Sequence, residues 1–153
     1  MNFEPDAVRA FEQAGWQRAA GRYDGTFARA STRFVAALLG AAGIASGTRL
    51  LDVACGPGYV AVAAAARGTA AQGLDFSNAM IAVARAAHPH IAFTQGDAEA
   101  LPFPDGAFDA VVSNFGIHHV PRPEMALREA RRVLAGDGRV AFTVWAEPSE
   151  NIA

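Results

Sequence analysis

The chain has 153 residues, of which 52% are hydrophobic and 18% are charged, and its formal net charge is −2. This composition favours a single folded domain, excludes an intrinsically disordered chain, and argues against a nucleic-acid-binding protein, which needs a basic surface. The basic residues other than histidine are all arginines, and the lack of lysine excludes a Schiff-base enzyme and a phosphate-binding loop of the GxxxxGK type.

Two helices are predicted at the N-terminal end. The first covers residues 5–20, where Val8, Phe11 and Ala14 recur at a spacing that favours an apolar inner face. A glycine-containing break follows it. The second helix is predicted over residues 26–42.

From residue 49 onward, short apolar segments alternate with helical ones. The predicted strands cover residues 49–54, 69–74, 91–94, 108–113 and 139–145. The predicted helices cover 59–66, 77–87, and a segment from Pro123 to the glycines at 136 and 138, with Leu127, Ala130 and Leu134 on its inner face. Such alternation implies a parallel sheet with helices on both faces, a doubly wound α/β fold. Folds of this class bind ligands outside the carboxyl ends of the strands.

The segment after the first strand carries an acidic residue and closely spaced glycines. Gly56 and Gly58 allow a tight turn and close approach to a ligand, and Gly56 to Ala61 also fits the GxGxxA fingerprint of dinucleotide-binding proteins. Asp52 argues against a dinucleotide, because a carboxylate repels a pyrophosphate and suits a ligand with an ammonium group. The alternative is an ordinary strand–turn–helix connection with a solvated Asp52.

The second and third strands are also followed by acidic residues. Asp75 can accept hydrogen bonds from both hydroxyl groups of a ribose. Asp97, beside the backbone of Ala98, can recognise the amino edge of adenine. Together they predict a ligand that contains adenosine. The alternatives are a contact of Asp75 with a helix N-terminus near Ser77 and an ordinary Asx turn at Asp97.

The fourth strand leads into Asn114, which we expect at the mouth of the cleft, and then into two adjacent histidines. His118 or His119 is a candidate general base, because imidazole titrates near neutral pH. A hydrogen bond to the backbone is the alternative role. No metal site is predicted, since no cysteine or carboxylate spacing completes a zinc site.

Five segments occur in a characteristic order: residues 51–58 (LDVACGPG), 73–77 (GLDFS), 96–109 (GDAEALPFPDGAFD), 117–120 (IHHV) and 132–139 (RVLAGDGR). They resemble class I S-adenosylmethionine-dependent methyltransferases of the ubiquinone/menaquinone-biosynthesis type. The resemblance implies a Rossmann-like sheet with strand order 3-2-1-4-5, S-adenosyl-L-methionine as cofactor, and a small-molecule acceptor methylated on oxygen or carbon. It also implies a helical lid at residues 1–47, in which Trp16 and Tyr23 cover the cofactor, and a cofactor-binding core at residues 48–153.

The candidate site residues fall into two groups. The predicted cofactor-binding residues are Tyr23, Asp52, Ala54, Cys55, Gly56, Pro57, Gly58, Asp75, Phe76, Asp97, Ala98 and Asn114. The predicted catalytic residues are His118 and His119.

The sequence ends at Ala153, whereas the family that it resembles continues with two further strands. We therefore expect a core truncated after strand five, whose edge position and apolar side chains predict association, such as a homodimer. We also expect a cytoplasmic protein without nucleic-acid or membrane partners, because no apolar run approaches the ~20 residues of a membrane span and no signal-peptide pattern is visible. Two other functions stay open: a non-catalytic S-adenosylmethionine-binding module or inactive fragment, and an NAD-dependent oxidoreductase.

Overall fold

The structure, a computed structural model, describes residues 4–25 and 27–146. Its strands are β1 (Arg49–Val53), β2 (Ala70–Asp75), β3 (Ala92–Gln95), β4 (Phe108–Asn114) and β5 (Leu134–Thr143). Its helices are α1 (Pro5–Ala19), α2 (Phe27–Ser31), α3 (Val35–Ala41), α4 (Tyr59–Ala65), α5 (Asn78–Ala87) and α6 (Pro123–Val133). The strands pair in parallel in the order β3-β2-β1-β4-β5, which confirms the predicted doubly wound fold and strand order.

The central strand β1 is apolar on both faces. Leu50 and Leu51 are fully buried, and because successive side chains of a strand point to opposite faces, they enter different halves of the core. Leu50 packs in a cluster with residues of α3 and α4, and Leu51 packs in a cluster with residues of α6. β1 pairs with β2 on one side and β4 on the other. The strand order therefore reverses at β1, where ligand crevices form in such folds.

Most predicted elements agree with the structure to within one or two residues. The predicted cap at Ser77 is confirmed, because its Oγ accepts a hydrogen bond from the backbone N–H of Met80 at 3.3 Å. No helix within the described residues is long and apolar enough to cross a membrane.

The predicted inner face of α1 is wrong. Phe11 is 73% exposed and Ala14 is also exposed. The opposite, polar face contacts the core: Gln13 Nε2 donates to the carbonyl oxygen of Phe76 at 2.9 Å, and Gln17 Oε1 accepts from the backbone N–H of Ala79 at 2.9 Å. α1 packs on the polar start of α5 and the loop before it, where backbone groups need hydrogen-bond partners more than apolar contacts.

The second predicted helix is divided in two. A 3-10 turn over Thr32–Phe34 separates α2 from α3. Thr32 Oγ1 donates to the carbonyl oxygen of Ala28 at 2.6 Å. Such a side-chain hydrogen bond competes with the backbone hydrogen bonds of a regular helix and bends it. The predicted start of this helix at Thr26 lies outside the described residues.

The boundary between α6 and β5 also differs from the prediction. α6 ends at Val133 and β5 begins at Leu134, with an irregular register opposite Asp109, so the predicted glycine stop lies inside the strand. Leu127 is 37% exposed, which corrects its predicted inner position. The inner face of α6 is formed instead by Ala126, Ala130 and Val133.

Candidate functional site

A turn with three left-handed residues connects β1 to α4. Ala54, Gly56 and Gly58 have φ angles of 58°, 52° and 93°. The backbone N–H of Gly56 donates a hydrogen bond to Asp75 Oδ2 at 2.9 Å. The turn therefore links the carboxyl ends of β1 and β2, where the sequence predicted a binding site.

Three neighbouring cavities open beside this turn. The inner cavity is lined by Trp16, Tyr23, Ala54, Gly56, Asp75, Phe76, Met80, Asn114, Phe115, Gly116 and His119. The loop cavity is lined by Arg9, Ala54, Leu74, Phe76, Gly96, Asp97, Ala98, Gly116, His119, Val120 and Pro121. The aromatic cavity is lined by Trp16, Tyr23, Phe27, Ala30, Ser31, Phe115, His118, His119 and Trp145. His119 lines all three cavities, so they meet at this side chain.

Asp75 is the acidic residue of the inner cavity. Its side chain is oriented by backbone N–H groups, with Ser77 donating to Oδ1 at 2.8 Å and Gly56 donating to Oδ2. Burial raises the pKa of Asp75, and these two donors offset part of that effect. An ionised carboxylate accepts more than one hydrogen bond at each oxygen, so Asp75 can also accept from ligand hydroxyl groups.

Asp52 lies at the end of β1, two residues before Ala54, and does not line any of the three cavities. It is 1% exposed, and neither carboxylate oxygen has a hydrogen-bond partner among the described residues. Burial raises the pKa of Asp52 well above its usual range, and the backbone near Ala61 offsets this only in part. A buried carboxylate without a partner is unfavourable, so this carboxylate indicates a place that a cationic group would stabilise.

Replacing this residue in the variant Asp52→Asn should stabilise the ligand-free protein at neutral pH. The pKa of Asp52 rises on folding from 3.8, so its contribution to stability is greatest below pH 3.8 and is lost as the pH rises towards the folded-state pKa. Asn resembles the protonated form, so the variant should gain stability over wild type as the pH rises above about 4, which urea unfolding at several pH values would measure.

The partly exposed residue Asp109 provides a control of opposite sign. Arg49 donates hydrogen bonds to it and holds its pKa at about 2. Asp109→Asn should therefore destabilise the protein at neutral pH. An Asp52→Asn variant that is less stable than wild type at pH 7 would show that the Asp52 charge has a partner in the folded protein.

The loop cavity is bordered by an ion-pair network that was not predicted. The buried carboxylate of Glu99 accepts hydrogen bonds from Arg9 Nη2 and Arg122 Nε, each at 2.7 Å. Arg9 Nε also lies 3.0 Å from Asp97 Oδ2, while Asp97 Oδ1 accepts from the backbone N–H of Glu99 at 2.9 Å. Asp97 therefore forms the Asx-turn contact that the sequence left open, and it also faces the cavity. Arg9 and Glu99 are 90 residues apart, so no local pattern indicated their pairing.

The two candidate catalytic histidines have different surroundings. His119 Nδ1 lies 2.9 Å from Glu12 Oε2, and Trp16 Nε1 donates to the same oxygen at 3.2 Å. His118 lines only the aromatic cavity, with its ring centroid 4.2 Å from that of His119. Burial lowers the pKa of His118, and neighbouring His119 lowers it further. Both rings are therefore near the cleft, but only His119 has a carboxylate partner among the described hydrogen bonds.

Asn114 lines the inner cavity and at the same time links three elements. Its Nδ2 donates to the carbonyl oxygen of Ser31 at 3.0 Å, and its Oδ1 accepts from Thr143 Oγ1 at 2.7 Å. The side chain thus connects β4 to α2 and β5. It positions the N-terminal helices over the cleft.

The aromatic cavity is formed by rings from distant parts of the chain. Phe115 and Trp145 are stacked with centroids 4.3 Å apart, and Trp16 meets Phe27 edge-on at 5.5 Å. Tyr23 stacks on Tyr59 at 6.2 Å. The sequence did not predict this cluster, because its aromatic residues are far apart along the chain. They lie on α1, in the segment after α1, and in the segments after β4 and β5, which meet only in the folded chain.

The predicted cofactor-binding residues fall into two groups in the structure. Those that line a cavity are Tyr23, Ala54, Gly56, Asp75, Phe76, Asp97, Ala98 and Asn114. Those that do not are Asp52, Cys55, Pro57 and Gly58. Cys55 is buried, and burial raises the pKa of its thiol. No cluster of three or more potential metal ligands occurs within residues 4–25 and 27–146.

Comparison with known proteins gives a consistent result. A family model described as "Methyltransferase domain" matches residues 51–142. The demethylmenaquinone methyltransferase of Renibacterium salmoninarum is 40% identical over 109 residues, which cover 71% of this chain and 46% of that protein. The ubiquinone/menaquinone biosynthesis C-methyltransferase UbiE of Methylobacterium nodulans is 50% identical over 99 residues, which cover 60% of this chain and 39% of that protein. The chain thus spans less than half the length of these two relatives.

Solved structures share the fold. A chain from the complex between the Haloferax volcanii Trm112 methyltransferase activator and a methyltransferase superposes with a TM-score of 0.77 at 28% sequence identity. The match covers 84% of this chain and 59% of that chain.

Proposed function

The chain belongs to the family of proteins that carry the Methyltransferase domain, and from this premise we propose that it is an S-adenosylmethionine-dependent methyltransferase acting on a small-molecule acceptor. The observation that carries the proposal is the cleft at the carboxyl ends of β1, β2 and β4, which is lined by the oriented Asp75 and lies at the end of the strand that carries the buried, unpartnered Asp52. The family match and the buried carboxylate of Asp52 favour this cofactor over NAD, whose pyrophosphate is anionic. Asp75 supports an adenosine-containing ligand and does not distinguish the two cofactors.

The residues present fit S-adenosylmethionine. Asp75, which lines the inner cavity, would accept hydrogen bonds from the ribose hydroxyl groups, and Asp97 with Ala98, which line the loop cavity, would recognise adenine. Ala54 and Gly56 contribute little side-chain volume to the lining of the inner cavity, where an added side-chain group would take up space that the cofactor needs. Asp52 would supply negative charge near the cationic end of the cofactor. That cationic group would in turn offset the unfavourable burial of the Asp52 carboxylate.

The remaining predicted residues act indirectly. Cys55, Pro57 and Gly58 shape the turn between β1 and α4. Tyr23 and Trp16 cover the inner cavity from the N-terminal side, so we include residues 1–47 as a lid over a core at 48–153. Closure of such a lid excludes water from the reacting groups.

The cofactor, when bound, supplies an electrophilic methyl group on a sulfonium leaving group. The chain's part is then to align the acceptor with that methyl group and to accept a proton where the acceptor carries one. His119 is the better placed of the two histidines for the proton, because it lines both the cofactor cavities and the aromatic cavity. His118 borders only the aromatic cavity.

The acceptor that fits the aromatic cavity is a flat aromatic molecule. Phe27, Phe115, Trp145, Trp16 and Tyr23 line it, and aromatic rings favour stacked or edge-on contacts with other rings. The similar proteins named as demethylmenaquinone and quinone-biosynthesis C-methyltransferases support a hydroxylated aromatic acceptor and methylation on carbon.

Transfer of a labelled methyl group from S-adenosylmethionine to 1,4-dihydroxynaphthalene tests this proposal. The label should appear in the naphthalene product, identified as the ring-methylated compound by mass spectrometry and NMR. Saturable cofactor binding without transfer to this or related hydroxylated aromatics would instead favour the non-catalytic binding module. The absence of any cofactor binding would refute the proposal.

Strand β5 supports a proposal of self-association. It is an edge of the described sheet, and its side chains Val140 and Phe142 are 46% and 44% exposed, followed by Val144 and Trp145 at 50% and 51%. Exposed apolar edge strands favour pairing with another chain. Light scattering should therefore detect a homodimer that the variant Val140→Lys weakens, and a wild-type monomer at high concentration would contradict it.

A further inference from the structure

The carboxylate of Glu12 is placed to control the proton on His119. Glu12 lies on α1, in the N-terminal part of the chain, and His119 lies after β4, 107 residues away. Glu12 Oε2 is 2.9 Å from His119 Nδ1, and both side chains are largely shielded, with exposures of 24% and 31%. This contact therefore joins the N-terminal helix to the point where the three cavities meet.

The position of the Glu12 carboxylate is itself fixed. Trp16, one turn further along α1, donates its indole N–H to the same oxygen at 3.2 Å. The indole ring also packs edge-on against the His119 imidazole, with centroids 5.0 Å apart at 82°. Glu12 and Trp16, both on α1, thus hold the imidazole in one orientation.

The chemistry of the pair decides which ring nitrogen carries the proton. An ionised carboxylate only accepts hydrogen bonds, so Nδ1 of His119 must be the donor. In a neutral imidazole the other nitrogen, Nε2, then has a free lone pair. Nε2 is the atom that can receive a proton.

We propose that Glu12 is a positioning residue that makes His119 a general base, and that this base is complete only when α1 is docked on the core. The inference rests on the proposed methyltransferase function and deepens it. When an acceptor hydroxyl group reaches His119, its O–H bond breaks and a new N–H bond forms with the Nε2 lone pair. The electron pair of the broken bond stays on the acceptor oxygen. Nδ1 keeps its proton, and the negative charge of Glu12 stabilises the resulting imidazolium.

The first test measures the tautomer of His119 in the ligand-free protein. Long-range ¹H–¹⁵N NMR at a pH where the ring is neutral distinguishes a protonated from an unprotonated ring nitrogen, and loss of the signals in His119→Gln assigns them. We expect protonated Nδ1 and unprotonated Nε2 in wild type, and loss of this preference in Glu12→Leu. A wild-type ring protonated on Nε2 would overturn the proposal, whether or not the protein turns over the probe acceptor.

The second test separates turnover from binding. With 1,4-dihydroxynaphthalene as acceptor, Glu12→Leu should lower kcat on the order of 10²-fold, as expected for loss of general-base catalysis. The dissociation constant for S-adenosylmethionine should stay at the wild-type value. Glu12→Gln keeps an acceptor oxygen and should retain more turnover than Glu12→Leu, together with the protonated Nδ1 that a merely structural role would not require.

A matched control is available on α6. Glu124 is exposed in the first turn of that helix, and Glu124→Gln removes one carboxylate away from the cleft. It should change neither kcat nor the His119 tautomer. Equal kcat in wild type and Glu12→Leu would overturn the role of Glu12 and leave the proposed function intact. Failure of the wild-type protein to bind the cofactor would refute the proposed function. The tautomer of His119 would then still show whether Glu12 accepts a hydrogen bond from Nδ1.

Discussion

The variant Asp75→Asn is expected to bind S-adenosylmethionine on the order of 10²-fold more weakly than wild type, because two charge-assisted hydrogen bonds to the ribose are lost or weakened. In wild type, the backbone N–H groups of Gly56 and Ser77 donate to the two carboxylate oxygens of Asp75. In the variant, the side-chain NH₂ group of Asn would face one of these two donors. Isothermal titration calorimetry would measure the affinity.

The stability of this variant is affected in two opposing ways, because removal of the buried charge is favourable whereas an amide that faces a backbone N–H group is not. Burial raises the pKa of Asp75, which means that the folded protein tolerates a neutral side chain here better than an exposed site would. The matched control is Asp137→Asn, since Asp137 is exposed and lies away from the three cavities. If Asp75→Asn bound the cofactor as tightly as the control, the assignment of Asp75 to the ribose would be wrong.

The second large effect is expected at Gly58. Its φ of 93° is unfavourable for any residue with a side chain, and an added Cβ would lie 2.7 Å and 2.9 Å from two ring atoms of Phe93. The Phe93 ring is 4% exposed and is also in close contact with Gly73 on β2, so it cannot move aside easily. Gly58→Ala should therefore lower the free energy of unfolding by about 2–5 kcal/mol, combining left-handed strain with overpacking.

Gly56 offers the comparison that separates these two causes. It also has a positive φ, of 52°, but an added Cβ would meet no heavy atom within 4 Å. Gly56→Ala should therefore cost only about 1–2 kcal/mol of stability. Because Gly56 lines the inner cavity, this variant should lose cofactor affinity instead. Urea unfolding and calorimetry on both variants would measure the contrast, and equal losses of stability would show that the contact with Phe93 does not limit the turn.

The core of the fold could be predicted because its sequence pattern is local. The apolar run of β1, the Ser77 cap and the alternation of strands and helices each follow from neighbouring residues, and the structure confirms them. The predicted inner face of α1 failed because α1 packs on polar loop backbone, through Gln13 and Gln17, where an apolar face gives no advantage.

The grouping of the candidate site residues at one edge of the sheet also followed from local sequence patterns, whereas their roles stay predictions. Acids and glycines at strand ends indicated Asp75, Gly56 and Asp97, because the carboxyl ends of parallel strands meet at one edge of the sheet. The Glu12–His119 contact was not predictable, since it joins residues 107 positions apart and depends on how α1 docks. The same holds for the pairing of Arg9 with Glu99.

The most direct measurement of the central claim is a calorimetric titration of the folded protein with S-adenosylmethionine, beside a parallel titration with NAD. Asp75 predicts saturable binding of an adenosine-containing ligand at one site per chain, and the buried carboxylate of Asp52 predicts binding of S-adenosylmethionine and not of the anionic NAD. If protein with an intact fold by circular dichroism bound NAD and did not bind S-adenosylmethionine, the proposed cofactor would be wrong.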